Sequence, residues 1–228
     1  MRISEADLVR LITREVLAEL SARARVPTPR REPIPDTIPI GVSVRHVHLC
    51  QEHLDQLYGE GYELSIRNEL YQPGAYAANE TVTLVTPRRV LHNVRILLPL
   101  RPHSQVELAR SDAIYLGIDP PVRLSGDIAG SAGIVMVGPA GAVDLKEGVI
   151  IAARHVHMNP EEAAHFGVQD RDEVEVEISG MRALVFRHVI VRVSDEARLE
   201  LHLDTDEANA ANVICGVTAR IIAKANVP

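Results

Sequence analysis

The feature that most constrains this fold is a repeated word. The sequence reads SVRHVHLCQEHL at 43–54 and AARHVHMNPEEA at 152–163, so Arg-His-Val-His occurs twice, with the leading histidines 109 residues apart. Further landmarks follow both copies in the same order. LYG at 57–59 answers HFG at 165–167, and QVELARSDA at 105–113 answers LELHLDTDEA at 199–208, with Ser111-Asp112 opposite Thr205-Asp206. Two copies of one unit are the simplest source of such order, and they predict a pseudo-symmetric pair of domains.

The unit is rich in β-structure. From Ile40 onward short apolar segments alternate with Gly and Pro: IPIGVSVRHVHL, ETVTLVTP, VLHNVRILLPL, SQVELA, GVIIAARHVHM, DEVEVEI, ALVFRHVIVRV and RLELHLDT. Short strands at that spacing make small barrels or sandwiches. Short helices are expected at 51–58, 160–166 and 206–211.

Ahead of this body the pattern is different. Leu8, Ile12, Val16 and Leu20 repeat every four residues, with Leu11 widening the stripe and Ser4 and Asp7 forming a capping pair, so 1–22 reads as an amphipathic helix. Five of the fourteen prolines fall within 27–39, and the stretch 23–39 reads as a semi-rigid linker. An isolated helix of this length is marginal in water unless its apolar face docks. It either folds back on its own chain or docks on another protein. Glu5, Asp7, Glu15 and Glu19 contradict an organellar presequence, and the charges also break any secretory apolar region.

Charge and cysteine content narrow the function. The net charge of −7 gives no basic footprint for nucleic acid or anionic lipid. No apolar run reaches the ~18 residues that a membrane span requires. Cys50 and Cys215 are the only cysteines, which argues for a reducing compartment and against a disulfide framework or thiolate zinc knuckle.

Alternate side chains of a strand leave on one face. His46 and His48 therefore project together, and so do His155 and His157. A pair at this spacing needs a third donor from another strand to complete a site with open positions. His202 supplies it in the second copy, and Glu107 stands at the approximately equivalent place in the first. Imidazole and carboxylate donors without thiolate favour zinc, with cobalt, nickel or iron as substitutes, and three protein donors per ion describe a catalytic site. His53, His92, His103, His165 and His188 lack such pairing and are expected on the surface or in linking strands.

VSVRHVHL, QPGAYAANETVTLV, RPHSQVELARSD, PVRLSGDIAGSAGI, GVIIAARHVHM and HLDTDEANAA, in this order from about residue 38 to 212, resemble the PduL-type phosphate propanoyltransferases of bacterial microcompartments. The resemblance implies a mainly β fold of two pseudo-symmetric β-barrel domains capped by short helices, here 40–120 and 121–228, with room for strand exchange between them. It implies exchange of an acyl group, propanoyl or similarly short, between coenzyme A and phosphate at a two-zinc site. His46, His48 and Glu107 match the ligands of the zinc that meets the CoA sulfur, and His155, His157 and His202 those of a second zinc that keeps waters. Arg101 matches the phosphate-holding arginine and Ser125 a neighbouring phosphate contact. Ser43, Arg95, Leu97, His202 and Asn209 match positions that line the CoA pocket. Asn68 departs from the family, which commonly has lysine there. The helix at 1–22 resembles an encapsulation helix for shell or cargo proteins, which places the chain inside a cytoplasmic microcompartment, as a homo-oligomer, with a dimer implied.

The chain has no convincing nucleophile motif, and Cys50 is expected as a small buried hydrophobe. Direct phosphate attack in a ternary complex is the expected mechanism. The rival readings are a dinuclear metallohydrolase, which would not need phosphate, and a metal-binding scaffold protein of the shell, which would not turn over.

Overall fold

The structure is a computed structural model that describes residues 33–224 together with Thr13, Glu15 and Val16. The amphipathic helix expected over 1–22, those three residues excepted, and the linker up to residue 32 lie outside the described residues. The chain separates into two units, Met1–Ile34 and Pro35–Pro228. Among the described residues the second unit is mainly β, with fourteen strands and four short helices. It begins slightly earlier than expected: β1 (Ile38–Ser43) includes Pro39, which a strand tolerates near its start.

Two six-stranded barrels organise the body. The first closes through β4 (Tyr76–Val85), β5 (Val90–Leu98), β2 (His46–His48), β6 (Gln105–Glu107), β9 (Ala142–Ala152) and β8 (Ala132–Val137), and β8 returns to β4. Two short strands extend its edges, β3 (Ile66–Glu69) on β4 and β7 (Val122–Arg123) on β9. The second closes through β1, β13 (Glu200–Asp204), β10 (His155–Met158), β12 (Leu184–Val193), β11 (Glu173–Ile178) and β14 (Thr218–Lys224).

The barrels match strand for strand. β2 pairs parallel with β5 and antiparallel with β6, as β10 does with β12 and β13. β6 pairs parallel with β9, as β13 does with β1. The remaining three pairings of each ring are antiparallel in both.

This correspondence moves the domain boundary. The division expected at 120/121 does not fall between the barrels, because β8 and β9 close the first barrel and β1 closes the second. IPIGVSVRHVHL, expected as one strand, breaks after Ser43 into β1 and β2, which belong to different barrels. GVIIAARHVHM breaks likewise between β9 and β10. Each Arg-His-Val-His thus lies where the chain crosses from one barrel to the other. The exchange draws the two histidine pairs toward a common seam.

Period-two alternation separates core from site. Val47, Val106, Val156, Met158, Leu201 and Leu203 point into the two cores and are at most 1% exposed. Each such aliphatic contributes ~1.5–3 kcal/mol on full burial. Their strand neighbours His46, His48, Glu107, His155 and His202 face the other way. His46, His48, Glu107 and His155 are nonetheless only 6–7% exposed, so the remainder of the body covers that face.

Helices follow the site strands. α1 (Gln51–Tyr58), α3 (Pro160–Phe166) and α4 (Thr205–Ala211) stand where they were expected. α2 (Arg110–Leu116) was not expected, although it repeats the position of α4 after β13. In the second copy both helices begin with reciprocal capping boxes, Asn159 with Glu162 and Asp204 with Glu207. Their first-copy counterparts start at Cys50 and Ala109 without a side-chain cap.

Candidate active site and metal centre

Register aligns the donors. His46 stands opposite Glu107 across β2 and β6, and His155 stands opposite His202 across β10 and β13. In each set, one ligand atom from each residue lies within 4.8 Å of the others. Glu107 Oε2 is 3.4 Å from His46 Nε2, and its Oε1 is 3.8 Å from His48 Nε2. His155 Nε2 and His157 Nε2 are 3.1 Å apart, and the His202 ring centre lies 4.9 and 4.7 Å from theirs. The structure therefore assembles both expected sets.

The chain also orients the rings. His46 Nδ1 donates to Val44 O at 2.9 Å, and His155 Nδ1 donates to Ala153 O at 2.8 Å, the same contact in both copies. With Nδ1 carrying the proton, each Nε2 keeps its lone pair for the site. His48 Nδ1 is buried and has no partner among the described residues. The atom of this ring that faces the donor set is Nε2, 3.8 Å from Glu107 Oε1.

Electrostatics keep three of the imidazoles ready. Burial lowers His157 to about 2, with the charges of His202 and His155 adding to it. His155 falls to about 4 through burial and His202, and His48 to about 3 through burial, His46 and Arg101. These imidazoles are neutral near pH 7, as a ligand must be. Burial also acts to lower His46, but the charge and hydrogen bond of Glu107, with Val44 O, outweigh it and raise its pKa. Burial opposes ionisation of Glu107, but His46, His48 and Ser125 together hold it well below the usual carboxylate range. Both sets fit a divalent ion such as zinc: the donor types match, and three donors leave coordination positions open.

A polar relay joins the first set to an arginine. Arg101 Nη1 donates to Ser125 Oγ at 2.8 Å, and that hydroxyl donates to Glu107 Oε1 at 2.8 Å. Gln105 Nε2 donates to both Glu107 Oε1, at 2.6 Å, and Ser125 Oγ, at 2.9 Å, while Gly126 N donates to Gln105 Oε1 at 2.7 Å. Arg101 is half-buried, and burial is the first cause of its lowered pKa.

Sequence reasoning missed Arg192. It lies opposite His157 across β10 and β12, is half-buried, and makes no ion pair or hydrogen bond to a described residue through its guanidinium. Burial, then Arg171, lowers its pKa, and it acts electrostatically on Arg101, His155 and His157. Two half-buried guanidiniums without a carboxylate ion pair among the described residues thus stand beside the donor sets. Such a place attracts an anion.

The other expected residues lie at varied depth. Arg95 and Leu97 stand opposite His46 and His48 on β5, and Arg95 Nη1 donates to Ala78 O and Asn79 O at 3.1 and 2.6 Å. Ser43 ends β1 opposite Asp204, and Asn209 is exposed on α4. Asn68 lies on exposed β3, its amide donating to Glu69 O at 3.0 Å. Cys50 is half-buried beside Ser104, so it is less enclosed than expected.

The family model for phosphate propanoyltransferase matches residues 39–214, a span that contains both donor sets and both arginines. The chain belongs to the phosphate propanoyltransferase family. A phosphate propanoyltransferase of Thermotoga maritima is 52% identical over 194 residues, which cover 85% of this chain and 91% of the relative. One from Lachnoclostridium phytofermentans is 48% identical over 219 residues, covering 96% of this chain and all of the relative. A third, from Citrobacter freundii, is 52% identical over 175 residues, covering 76% and 83%.

One carboxyl near the seam couples stability to pH. Glu207 is pushed up to about 7 by burial first and the Asp204 carboxylate second, against the pull of the Asp204 N–H and Arg154. A carboxyl raised above its unfolded value of 4.5 holds its proton more tightly when folded. Its contribution to stability is present below the unfolded value and is lost as pH rises through the folded one. Relative to Glu207→Gln, the native chain should lose on the order of 1–3 kcal/mol of unfolding free energy between pH 4 and 8. Urea unfolding at both pH values measures this, and equal changes in the two proteins would contradict it.

Proposed function

We propose that this chain is a phosphate acyltransferase that interconverts acyl-CoA plus phosphate with acyl phosphate plus CoA. The acyl group is propanoyl or similarly short, in keeping with the names of its relatives. The observation that carries the proposal is the pairing of two three-donor sets with two half-buried arginines that have no carboxylate ion pair among the described residues. His46, His48 and Glu107 would hold one zinc, and His155, His157 and His202 a second. Bound there, zinc supplies Lewis acidity toward the thioester and its departing sulfur.

The protein's own groups position the other reactant. Arg101 grips phosphate by charge-assisted hydrogen bonds, and Ser125, already bonded to Arg101 and Glu107, stands within reach of the same anion. A phosphate oxygen forms the new bond to the carbonyl carbon as the carbon–sulfur bond breaks and CoA leaves as its thiolate. Holding both reactants together removes the entropic cost of a bimolecular encounter, so no acyl-enzyme is needed. Ser43, Arg95, Leu97, His202 and Asn209 would line the path of CoA, with the short β3 segment carrying Asn68 instead of a cation.

The same reading gives residues 1–22 the role of an encapsulation helix that binds shell or cargo proteins of a bacterial microcompartment. Its amphipathic stripe supports this, and so does the match to the Lachnoclostridium relative, which covers 96% of this chain and so reaches into that segment. A homodimer is the proposed assembly. No helix among the described residues is long and apolar enough to cross a membrane.

Incubation of the zinc-loaded chain with propanoyl-CoA and phosphate should yield propanoyl phosphate, captured as its hydroxamate, in step with CoA release. Release of CoA with free propanoate and no dependence on phosphate would establish a hydrolase instead.

A further inference from the structure

The repeated word contains an arginine as well as two histidines, and neither metal nor phosphate binding uses it. Arg45 Nε donates to Asp112 Oδ2 at 3.0 Å, and Arg154 Nη1 donates to Glu207 Oε1 at 2.9 Å. Strand register makes Glu107 the counterpart of His202, and this sets Asp112 opposite Glu207, one residue on from the Asp206 that sequence alone placed there, so both acceptors hold the same place in the repeat. Asp112 lies five residues after Glu107 and Glu207 five after His202, each within the first turn of the helix that follows the third-donor strand.

Each arginine also stands directly between two parts of its own site. On one side is the carbonyl that orients the first histidine, Val44 O or Ala153 O, and on the other is that histidine. The ion pair therefore ties the peptide carrying the orienting carbonyl to the helix just beyond the third donor. Asp112 is only 8% exposed, and the Glu207 side chain 20%, so both carboxylates interact with less screening than at an open surface. Arg154 is fixed further by donating Nε to Arg187 O at 2.9 Å and by lying 5.2 Å over the Phe186 ring.

We propose that Arg45 and Arg154 are positioning residues, each setting the geometry of the three-donor set in its own copy. This inference rests on the reading of those sets as metal sites. The recurrence of the contact in both copies serves as an internal replicate.

The test compares full-length Arg45→Gln and Arg154→Gln with the native chain by zinc competition against a chromophoric chelator at pH 8. The native chain should bind two zinc ions. Arg45→Gln should weaken one of them roughly 10- to 100-fold, the scale of groups that orient metal ligands, and leave the other within twofold. In a His155→Ala/His157→Ala background, which keeps the first set alone, the same change should weaken the remaining ion. Arg154→Gln should affect only the second set, and lysine at either position should restore most of the affinity by preserving the ion pair. Should a glutamine variant fail to fold, Asp112→Asn or Glu207→Gln removes the carboxylate charge of the same ion pair at nearly constant shape and carries the same expectation. Affinities within twofold of native in both variants, or equal weakening of both ions, would overturn the inference. A native chain that binds no zinc would instead overturn the metal reading beneath it.

Discussion

Arg101→Ala should lower kcat/KM for phosphate roughly 10²–10³-fold while zinc content stays at the native level. That loss corresponds to about 3–4 kcal/mol of transition-state stabilisation, the usual size for removal of one preorganised donor from a water-poor site. Among the described residues Arg101 is the guanidinium bonded to Ser125, and through Ser125 to Glu107, so its removal would detach a bound anion from the first donor set. Arg192 remains, and for that reason the loss should stop short of abolishing activity. Arg101→Lys should recover only part of it, since an ammonium cannot reproduce a bidentate grip. Unchanged phosphate kinetics in Arg101→Ala would remove this residue from the reaction.

The joint change His155→Ala with His157→Ala should halve bound zinc, from two ions per chain to one, and lower turnover at least 10³-fold. Of the three donors only His202 would remain on β13, with the Glu200 carboxylate 2.7 Å from its Nε2, and that pair falls short of the three protein donors a zinc site of this kind uses. The first set should keep its ion, because His46, His48 and Glu107 sit on β2 and β6 of the other barrel. Fold should persist in both barrels, since the core side chains of β10 are Val156 and Met158 and neither is altered. Full retention of both ions would exclude the second set as a metal site.

Much of this site was legible because the donors obey simple periodicity. In HVH and LELHLD, every second residue must share a face, and repetition of the pattern singles out six residues from an otherwise ordinary β sequence. Arg192 escaped because VIVRVS contains no pattern that distinguishes a site arginine from a solvated one. Only its register opposite His157 does so. The crossing of the chain between barrels was hidden for a different reason. IPIGVSVRHVHL carries a β-branched residue at every second position from Ile38 to Val44, and the break at Val44-Arg45 leaves no Gly or Pro at that point. The parallel pairing of β1 with β13 is a tertiary choice that local propensity does not encode.

Two further differences share a physical origin. α2 lacks a side-chain cap at Ala109, so its start carried no local signal, yet its position repeats that of α4. Glu200 also went unnoticed in LELHLD beside the more obvious His202. Its carboxylate accepts from Gln72 Nε2 at 2.9 Å and lies 2.7 Å from His202 Nε2. A Cβ on Gly41 would meet that carboxylate, so a larger residue in the middle of β1 would have to displace Glu200. Such requirements arise from neighbours distant in sequence.

Anomalous diffraction from crystals of the zinc-loaded chain, collected on both sides of the zinc absorption edge, addresses the duplicated site most directly. Two peaks per chain are expected, one within about 2.3 Å of donor atoms from His46, His48 and Glu107 and the other equally close to His155, His157 and His202. A single peak, or zinc held by other residues, would contradict a paired site built from the two copies of Arg-His-Val-His.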